Sequence, residues 1–280
     1  MTDLNGATAL VTGAASGIGL RMAEQFARRG ASLVLWDLNG EALESARARV
    51  ARAGNVAHTD TVDVGDHKAV AAAAVRVSQA VGGVDLLVNN AGIVSGRPLT
   101  DLTPEQVERT FRVNVLSLFW VTQAFLPGMV DRNRGHVVTI ASAAGLVGVA
   151  RQTDYSASKH AAVGFNESLR AELAAAGTDV HTTVVCPYFI DTGMFDGVVT
   201  RFPRLLPILK PDHVVDQITR AIEHDRAQLI MPPLIRSLPA LRALPVAVFD
   251  RAMGFFGVNA SMDHFTGRQG AGGVASASKR

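Results

Sequence analysis

The pair of residues best suited to chemistry is Tyr155 and Lys159, which stand four residues apart in a stretch with a helical pattern. At that spacing both side chains lie on one face of a helix. An ammonium beside a phenol favours the phenolate, so Tyr155 is predicted to be a general base that removes an alcohol proton. Ser142 lies just upstream, after a predicted strand, and its hydroxyl would hold the substrate oxygen against Tyr155. Taken alone, a Tyr-x-x-x-Lys spacing more often marks a surface pair.

A glycine-rich turn over residues 12–19 lies between the first predicted strand and the first predicted helix. Glycines there let the backbone approach a pyrophosphate, and the following helix N-terminus supplies N–H donors and a positive dipole end. A Gly-x-x-x-Gly-x-Gly turn can also serve only the packing of strand against helix, but its position in the first strand-to-helix turn favours a nucleotide site. The predicted cofactor-binding residues here are Gly13, Ser16, Gly17, Ile18 and Gly19.

Asp37 ends the second predicted strand, roughly 20 residues after the glycine turn, where an acidic side chain reaches the adenosine ribose of a dinucleotide. A carboxylate there accepts hydrogen bonds from the 2′- and 3′-hydroxyls and repels a 2′-phosphate, which predicts NAD rather than NADP as the cofactor. Arg21 lies on the next helix and has no evident route to the ribose. Without the glycine turn, Asp37 would be interpreted as an ordinary aspartate in a turn at a strand end.

Short β-branched runs alternate with longer helical patterns along the chain. This alternation predicts an α/β fold, a single doubly wound parallel sheet (Rossmann-type) of about seven strands with helices on both faces. The predicted strands cover residues 7–12, 32–36, 56–62, 85–88, 136–140, 180–185 and 228–231, and the predicted helices cover residues 18–29, 41–53, 67–81, 103–126, 153–175 and 211–225.

Composition excludes several classes of protein. The chain has 280 residues, 48% of them apolar, and a net charge of +2, which excludes a disordered chain. Cys186 is the single cysteine, so a disulfide scaffold is excluded and a reducing compartment is expected. The eight histidines show no metal-binding spacing, and no metal is predicted. The uncharged run over residues 113–130 is near the lower limit for a membrane span, and we interpret it as a buried helix closed by Pro127 and Gly128.

Taken together, the motifs resemble those of the short-chain dehydrogenase/reductase family, in the usual order, across residues 5–231. The resemblance rests on residues 12–19, Asp63-Val64, Asn89-Asn90-Ala91-Gly92, Asn114, Ser142 and Tyr155-Ser156-Ala157-Ser158-Lys159. It implies the fold predicted above and an oxidoreductase that transfers a hydride between a nicotinamide cofactor and an alcohol or carbonyl group.

The resemblance also implies a role for each matching residue. Tyr155 would be the acid/base, Ser142 would polarise the substrate oxygen, and Lys159 would also bind the nicotinamide ribose. The backbone carbonyl of Asn114 would hold a water that links Lys159 to solvent. The other implied cofactor contacts are Asp63 and Val64 at the adenine, Asn90, Ala91 and Gly92 at the adenine-ribose side, and Pro187, Ile190 and Thr192 at the nicotinamide side. Tyr188 stands where the family usually has a glycine.

A narrower resemblance extends into the C-terminal third, to the branch of retinol dehydrogenases and lipid-droplet 17β-hydroxysteroid dehydrogenases. It rests on Leu35-Trp36-Asp37, Val185-Cys186-Pro187-Tyr188-Phe189, Thr192-Gly193-Met194-Phe195, Thr200-Arg201-Phe202-Pro203 and Gly257-Val258-Asn259-Ala260-Ser261-Met262-Asp263. It implies a lipophilic substrate and a role in lipid metabolism. The family resemblance also implies that the helices over residues 103–126 and 153–175 pair two copies into a homodimer, and a homotetramer stays open.

The chain is predicted to form one catalytic domain over residues 1–265, followed by a disordered tail over residues 266–280. Residues 187–210 are irregular and rich in apolar side chains, which would be an aggregation hazard if they covered nothing. They suit a lid over a lipophilic alcohol. Packing on the core or on another subunit explains any single side chain equally well.

A C-terminal extension is predicted over residues 232–265. Three arginines, Arg236, Arg242 and Arg251, lie among its apolar side chains. Residues 234–258 therefore suit peripheral contact with a membrane surface, and dimer packing is the alternative. No signal peptide is visible at residues 1–6, so we expect a cytoplasmic protein whose membrane contact is at most peripheral.

The sequence thus predicts an NAD-dependent oxidoreductase that acts on a retinol-, steroid- or fatty-alcohol-like substrate through a Ser-Tyr-Lys site. One alternative is an NADPH-dependent carbonyl reductase, which uses the same residues in the reverse direction. Another is a non-catalytic nucleotide- or lipid-binding adaptor, which would not need a proton donor. The expected partners are the lipophilic substrate and further copies of the chain, with no nucleic acid.

Overall fold

The computed structural model describes residues 1–267. Its strands are β1 (Thr8–Thr12), β2 (Ser32–Asp37), β3 (Asn55–Thr61), β4 (Leu86–Asn89), β5 (Gly135–Ile140), β6 (Val180–Pro187) and β7 (Gln228–Met231). They form one sheet in the order β3-β2-β1-β4-β5-β6-β7, and every pairing is parallel. The predicted fold is confirmed. The predicted tail lies outside the described residues from residue 268 onward.

Helices cover both faces of the sheet. They are α1 (Gly17–Arg28), α2 (Gly40–Ala51), α3 (His67–Val81), α4 (Pro104–Phe111), α5 (Ser117–Asp131), α6 (Thr153–Ala175), α7 (Pro211–Glu223), α8 (Leu238–Leu241) and α9 (Val246–Phe255). Side chains of α1, α2 and α7 pack on one face, and those of α3, α5 and α6 pack on the other. The strand β4 is covered on both faces, and all four of its residues are buried, including Asn89 at its end.

The order of the strands reverses between β1 and β4, because β2 and β3 lie to one side of β1 and β4–β7 lie to the other. The connections that leave the carboxyl ends of β1 and β4 therefore run in opposite directions. A crevice opens between them, and this is where open parallel sheets bind their ligands.

The glycine turn after β1 is tied to the end of β4. The Asn90 amide donates hydrogen bonds to the carbonyl oxygens of Thr12 (2.8 Å) and Gly13 (3.2 Å), and the Thr12 hydroxyl accepts from the Asn90 backbone N–H. Gly13 has φ 65° and Gly17 has φ 59°, conformations that favour glycine. A Cβ on Gly19 would overlap the carbonyl oxygen of Gly13, so this glycine is required by the turn itself.

The predicted helix over residues 103–126 differs most from the structure. The helix contains a π-helical turn at Arg112–Leu116 and continues to Asp131, so the prediction that Pro127 and Gly128 close it is wrong. Pro127 is tolerated inside α5 because it is exposed and so is Gln123, whose carbonyl loses its helical partner and can bind water instead. The other predicted boundaries lie within two residues of the observed ones, and those of α3, α6 and β7 match them.

The continuous helical stretch Pro104–Asp131 is long and apolar enough to cross a membrane, judged by length and composition alone. It is the single such helix within residues 1–267, and 44% of its most apolar window is buried. A core helix of a soluble protein passes the same test. In this fold α5 packs against α3, β4 and β5.

His136, in β5, is a buried histidine with no route to water. Its ring nitrogens lie 2.9 Å from the Thr2 hydroxyl and 2.8 Å from the Thr183 hydroxyl. Burial lowers the pKa of His136 from 6.5 to about 3, although the nearby carboxylate of Asp225 acts in the opposite direction and His181 adds to the lowering. The folded chain therefore holds this ring neutral across the physiological range.

Acid is expected to destabilise the fold through His136. Between pH 6.5 and pH 3 the unfolded chain binds a proton at this histidine and the folded chain does not, so the free energy of unfolding falls as the pH falls. The slope from this one group reaches about 1.4 kcal/mol per pH unit. In urea unfolding across this interval, His136→Gln should flatten the pH dependence, while His213→Gln, on the exposed side of α7, should not. Equal slopes for wild type and His136→Gln would contradict the assignment.

Candidate active site

A cleft of about 1570 Å³ lies at the carboxyl ends of the strands, over the point where the strand order reverses. Most of the predicted site residues line it, although they are scattered over 180 positions of the sequence. The lining includes Gly13, Ser16, Gly17, Ile18, Asp37, Asp63, Val64, Asn90, Ala91, Gly92, Ser142, Tyr155, Lys159, Pro187, Ile190 and Thr192. Two predicted residues, Gly19 and Asn114, are not among the residues that line the cleft.

Asn114 and Gly19 support the site from behind the cleft wall. Asn114 is buried in the π-helical turn, where its amide donates to the Ile93 carbonyl (2.9 Å) and to the Ser158 hydroxyl (3.0 Å) and accepts from the Ile93 N–H (2.8 Å). It thereby fastens the loop after β4 to α6. Gly19 allows α1 to approach the glycine turn, as described above. The sequence patterns alone could not separate lining residues from such supporting residues.

Ser142, Tyr155 and Lys159 meet where β5 ends and α6 begins. Tyr155 and Lys159 are 5% and 4% exposed, and the Lys159 Nζ lies 5.6 Å from the centroid of the Tyr155 ring. The amine donates a 2.8 Å hydrogen bond to the carbonyl of Ile140, the last residue of β5. Ser142 follows two residues later, and its hydroxyl accepts a hydrogen bond from the Ala144 N–H (3.1 Å). The four-residue spacing on α6 thus brings phenol, amine and hydroxyl into one pocket.

The expected effect of Lys159 on the ionisation of Tyr155 differs from what the structure shows. Burial raises the pKa of Tyr155 to about 12, and the nearby Ser142 hydroxyl lowers it only in part. Burial also lowers the pKa of Lys159 to about 8, against a smaller opposite effect of Cys186. The prediction that the ammonium leaves the phenol more acidic is therefore wrong for the chain by itself. Removal from water outweighs the neighbouring charge.

Asp37 lies at the edge of the cleft with its carboxylate oriented by the backbone. One oxygen accepts from the Ala15 N–H (2.9 Å) and the other from the Asn39 N–H (3.0 Å). These bonds fix a negative charge beside the glycine turn. Arg21 pairs with Asp212 on α7 and does not line the cleft, as the sequence analysis expected.

These features fit a nicotinamide dinucleotide. The N-terminal turn of α1 faces the cleft through Ser16, Gly17 and Ile18, which suits a pyrophosphate. Asp37 can accept hydrogen bonds from a ribose, and the amine of Lys159 lies at the opposite end of the cleft beside Tyr155. Within residues 1–267 no group of histidine, cysteine, aspartate or glutamate side chains could hold a metal ion.

Asp154 was not identified from the sequence, although it precedes Tyr155. It is 4% exposed, and its two carboxylate oxygens accept hydrogen bonds from the hydroxyls of Ser95 (2.8 Å) and Thr110 (2.9 Å). Asp154 therefore joins α6 to both the loop after β4 and to α4. No pattern in the sequence marks such a position, because its partners are distant along the chain.

A second, apolar cavity of about 80 Å³ adjoins Ser142. Ser142, Tyr188 and Phe195 line both this cavity and the cleft. The Phe195 ring lies edge-on to the Tyr155 ring, with centroids 5.8 Å apart, and contacts Phe189 at 5.1 Å. The other walls come from the segment between β5 and α6, from the irregular segment 187–210 and from the C-terminal extension. They include Ala144, Val147, Leu206, Leu238 and Met253.

Comparison with known proteins identifies the family. A family model described as short chain dehydrogenase matches residues 7–201. Epidermal retinol dehydrogenase 2 of Mus musculus is 44% identical over 271 residues, covering 95% of this chain and 87% of that protein. Retinol dehydrogenase 10 of Xenopus tropicalis is 43% identical over 267 residues, covering 85% and 78%. The chain belongs to the short-chain dehydrogenase family, in the branch of the retinol dehydrogenases, and is an oxidoreductase.

Solved structures agree with this assignment. A short-chain dehydrogenase/reductase from Burkholderia phymatum in complex with NAD superposes with a TM-score of 0.79 at 30% identity, covering 87% of this chain and 95% of that one. A metagenomic short-chain oxidoreductase in complex with NADP gives a TM-score of 0.69 at 31% identity, covering 82% and 96%. Both the family resemblance and the branch inferred from the sequence motifs are confirmed.

Proposed function

We propose that the protein oxidises a lipophilic alcohol with NAD, using Ser142, Tyr155 and Lys159. The observation that carries this proposal is the meeting of these three side chains at the boundary between a cleft that fits a dinucleotide and an apolar cavity. The similarity to retinol dehydrogenases supports an alcohol with a long hydrophobic body.

In this mechanism, the Ser142 and Tyr155 hydroxyls hold the substrate oxygen, and Tyr155 exchanges the proton with it. A bound NAD supplies the hydride acceptor. Lys159 has a pKa of about 8, so it is mostly cationic at neutral pH. Its positive charge favours the phenolate form of Tyr155, whereas burial favours the protonated phenol. Phe195 and the walls of the apolar cavity exclude water from the hydrophobic body of the alcohol.

The first prediction concerns the proton transfer. Tyr155→Phe should lower kcat by roughly a hundredfold or more, because the general acid/base is removed, while NAD binding changes little. Tyr188→Phe is the matched control, since Tyr188 is the other tyrosine of the chain and also faces the site; it should retain kcat within a few-fold. Steady-state kinetics on the best alcohol and calorimetric NAD titration provide the readouts. Wild-type turnover by Tyr155→Phe would exclude this mechanism.

The second prediction concerns the choice of dinucleotide. Asp37→Asn keeps a side-chain oxygen that can accept from a backbone N–H group, but it removes the negative charge. That charge favours NAD, whose adenosine ribose has two free hydroxyls, over NADP, whose ribose carries a 2′-phosphate. The ratio of kcat/KM for NAD to that for NADP should fall by about tenfold or more. An unchanged ratio, with an unchanged melting temperature, would show that Asp37 does not select the cofactor.

A carbonyl reductase that uses NADPH is the second candidate. The observation that favours reduction is the raised pKa of Tyr155, because a protonated phenol is the form that donates a proton to a carbonyl oxygen. The fixed carboxylate of Asp37 opposes NADP. Rates measured in both directions with both dinucleotides separate the two candidates. A non-catalytic adaptor is disfavoured, because burying a phenol beside an amine is costly and an adaptor gains nothing from it.

We also propose that two copies pair through α5 and α6. Phe119 is 43% exposed on α5, and its ring lies 4.9 Å from the Phe165 ring of α6. Light scattering should give twice the mass of one chain for the wild type and a large monomer fraction for Phe119→Asp. Val75→Asp, at an exposed apolar site on α3, should stay dimeric. A monomeric wild type would refute this pairing.

A further inference from the structure

The irregular segment 187–210 and the C-terminal extension share an outer surface that is apolar. Its side chains belong to both segments and are between 41% and 75% exposed. We call this set the outer apolar face: Val199, Leu205, Ile208, Leu244, Val246, Val248 and Phe255. The two segments are in contact, because the Phe202 ring lies 5.4 Å from the Phe255 ring and 6.1 Å from the Phe256 ring. An exposed apolar set of this kind needs a partner.

Positive charge surrounds the outer apolar face. Residues 199–208 and 234–256 together carry five arginines and one acidic residue, Asp250. The guanidinium of Arg201 lies 5.5 Å from the centroids of the Phe202 and Phe255 rings, so charge and apolar surface are in direct contact. Arg204 and Arg251 are exposed. A partner for this face must therefore be both apolar and anionic.

The same two segments line the apolar cavity on their inner side, through Leu206, Leu238 and Met253. Leu234 lines the cavity and is also 38% exposed, so one wall of the cavity is in contact with the surface. A hydrophobic molecule that enters there meets Ser142 at the inner end of the cavity. The same two segments thus form both the outer apolar face and part of the cavity wall.

We infer that the outer apolar face docks on an anionic lipid bilayer, from which the hydrophobic alcohol passes into the cavity next to Ser142. This inference rests on the proposed function for the identity of the substrate, and on the exposed side chains and the arginines for the docking. Aliphatic and aromatic side chains flanked by arginines are typical of surfaces that lie in the headgroup region. Anionic headgroups satisfy the positive charge.

A second copy of the chain is the competing occupant of this face. In a symmetric pair each face would contact itself, so arginines would approach arginines, with a single aspartate on each side to offset them. Like charges in such contact disfavour association. The charge therefore favours a bilayer over a second copy.

Flotation of the full chain with vesicles tests the docking. The wild type should float with vesicles of phosphatidylcholine mixed with phosphatidylserine, float less in high salt, and remain unbound with phosphatidylcholine alone. Val246→Glu/Val248→Glu should abolish flotation; both acidic side chains would lie near the N-terminus of α9, where negative charge is tolerated. Val75→Glu is the matched control and should float like the wild type.

A second pair of variants tests the charge without changing apolar surface. Arg204→Gln/Arg251→Gln should weaken binding to the anionic vesicles by about thirtyfold, whereas Arg28→Gln/Arg52→Gln, at the exposed C-terminal ends of α1 and α2, should not. A wild type that fails to float with the anionic vesicles overturns the inference. The inference is also overturned if the Val246→Glu/Val248→Glu variant still floats but has a lower mass than the wild type in light scattering. The outer apolar face would then join copies of the chain.

Kinetics separate a failure of docking from a failure of the proposed function. On a short alcohol in free solution, Val246→Glu/Val248→Glu should match the wild type, and on a long-chain alcohol carried in the anionic vesicles it should be at least tenfold slower. If no alcohol is oxidised by the wild type, the proposed function fails and flotation still decides the docking. If the long-chain alcohol is oxidised equally by both proteins, delivery through this face is refuted.

Discussion

Tyr155 and Lys159 lie side by side in a part of the molecule from which water is nearly excluded. Burial alone raises the pKa of the phenol and lowers that of the amine, so both groups are displaced towards their neutral forms. Few polar groups offset this cost: the Ile140 carbonyl accepts from the amine, and the nearby Ser142 hydroxyl lowers the pKa of the phenol. Because a buried polar group without a partner costs several kilocalories, about 2–7 kcal/mol by transfer measurements, the surrounding elements must hold these few contacts in place.

Side chains perform much of that positioning. Asn114 fastens the loop after β4 to α6 with all three of its amide hydrogen bonds, and Asp154 fastens the same loop and α4 to α6 with both carboxylate oxygens. Ser142 follows the end of β5, while Tyr155 and Lys159 lie on the first two turns of α6. The pocket is therefore assembled from a strand end, a helix and a loop that are joined by buried polar contacts as well as by apolar packing.

The sequence predicted the parts of this arrangement that depend on local periodicity. The alternation of strands and helices, the glycine turn and the aspartate after β2 are local patterns, and the sheet places their residues at one edge. The π-helical turn around Asn114 and the continuation of α5 through Pro127 were missed, because they depend on which face of the helix meets solvent. The ionisation of Tyr155 was misjudged because it depends on how completely the fold removes the phenol from water. Asp154 was missed because Ser95 and Thr110 reach it only in the folded chain.

The apolar cavity draws about half of its walls from a later stretch of chain than the cleft does. The family model ends at residue 201, and Leu206, Leu234, Leu238, Met253 and Phe256 all come later. The cavity proposed to select the alcohol and the cleft that fits the dinucleotide are therefore encoded in stretches of chain that overlap only in part. Evolution can retune the one without disturbing the other, and grafting the later stretch between relatives gives the protein engineer the same freedom.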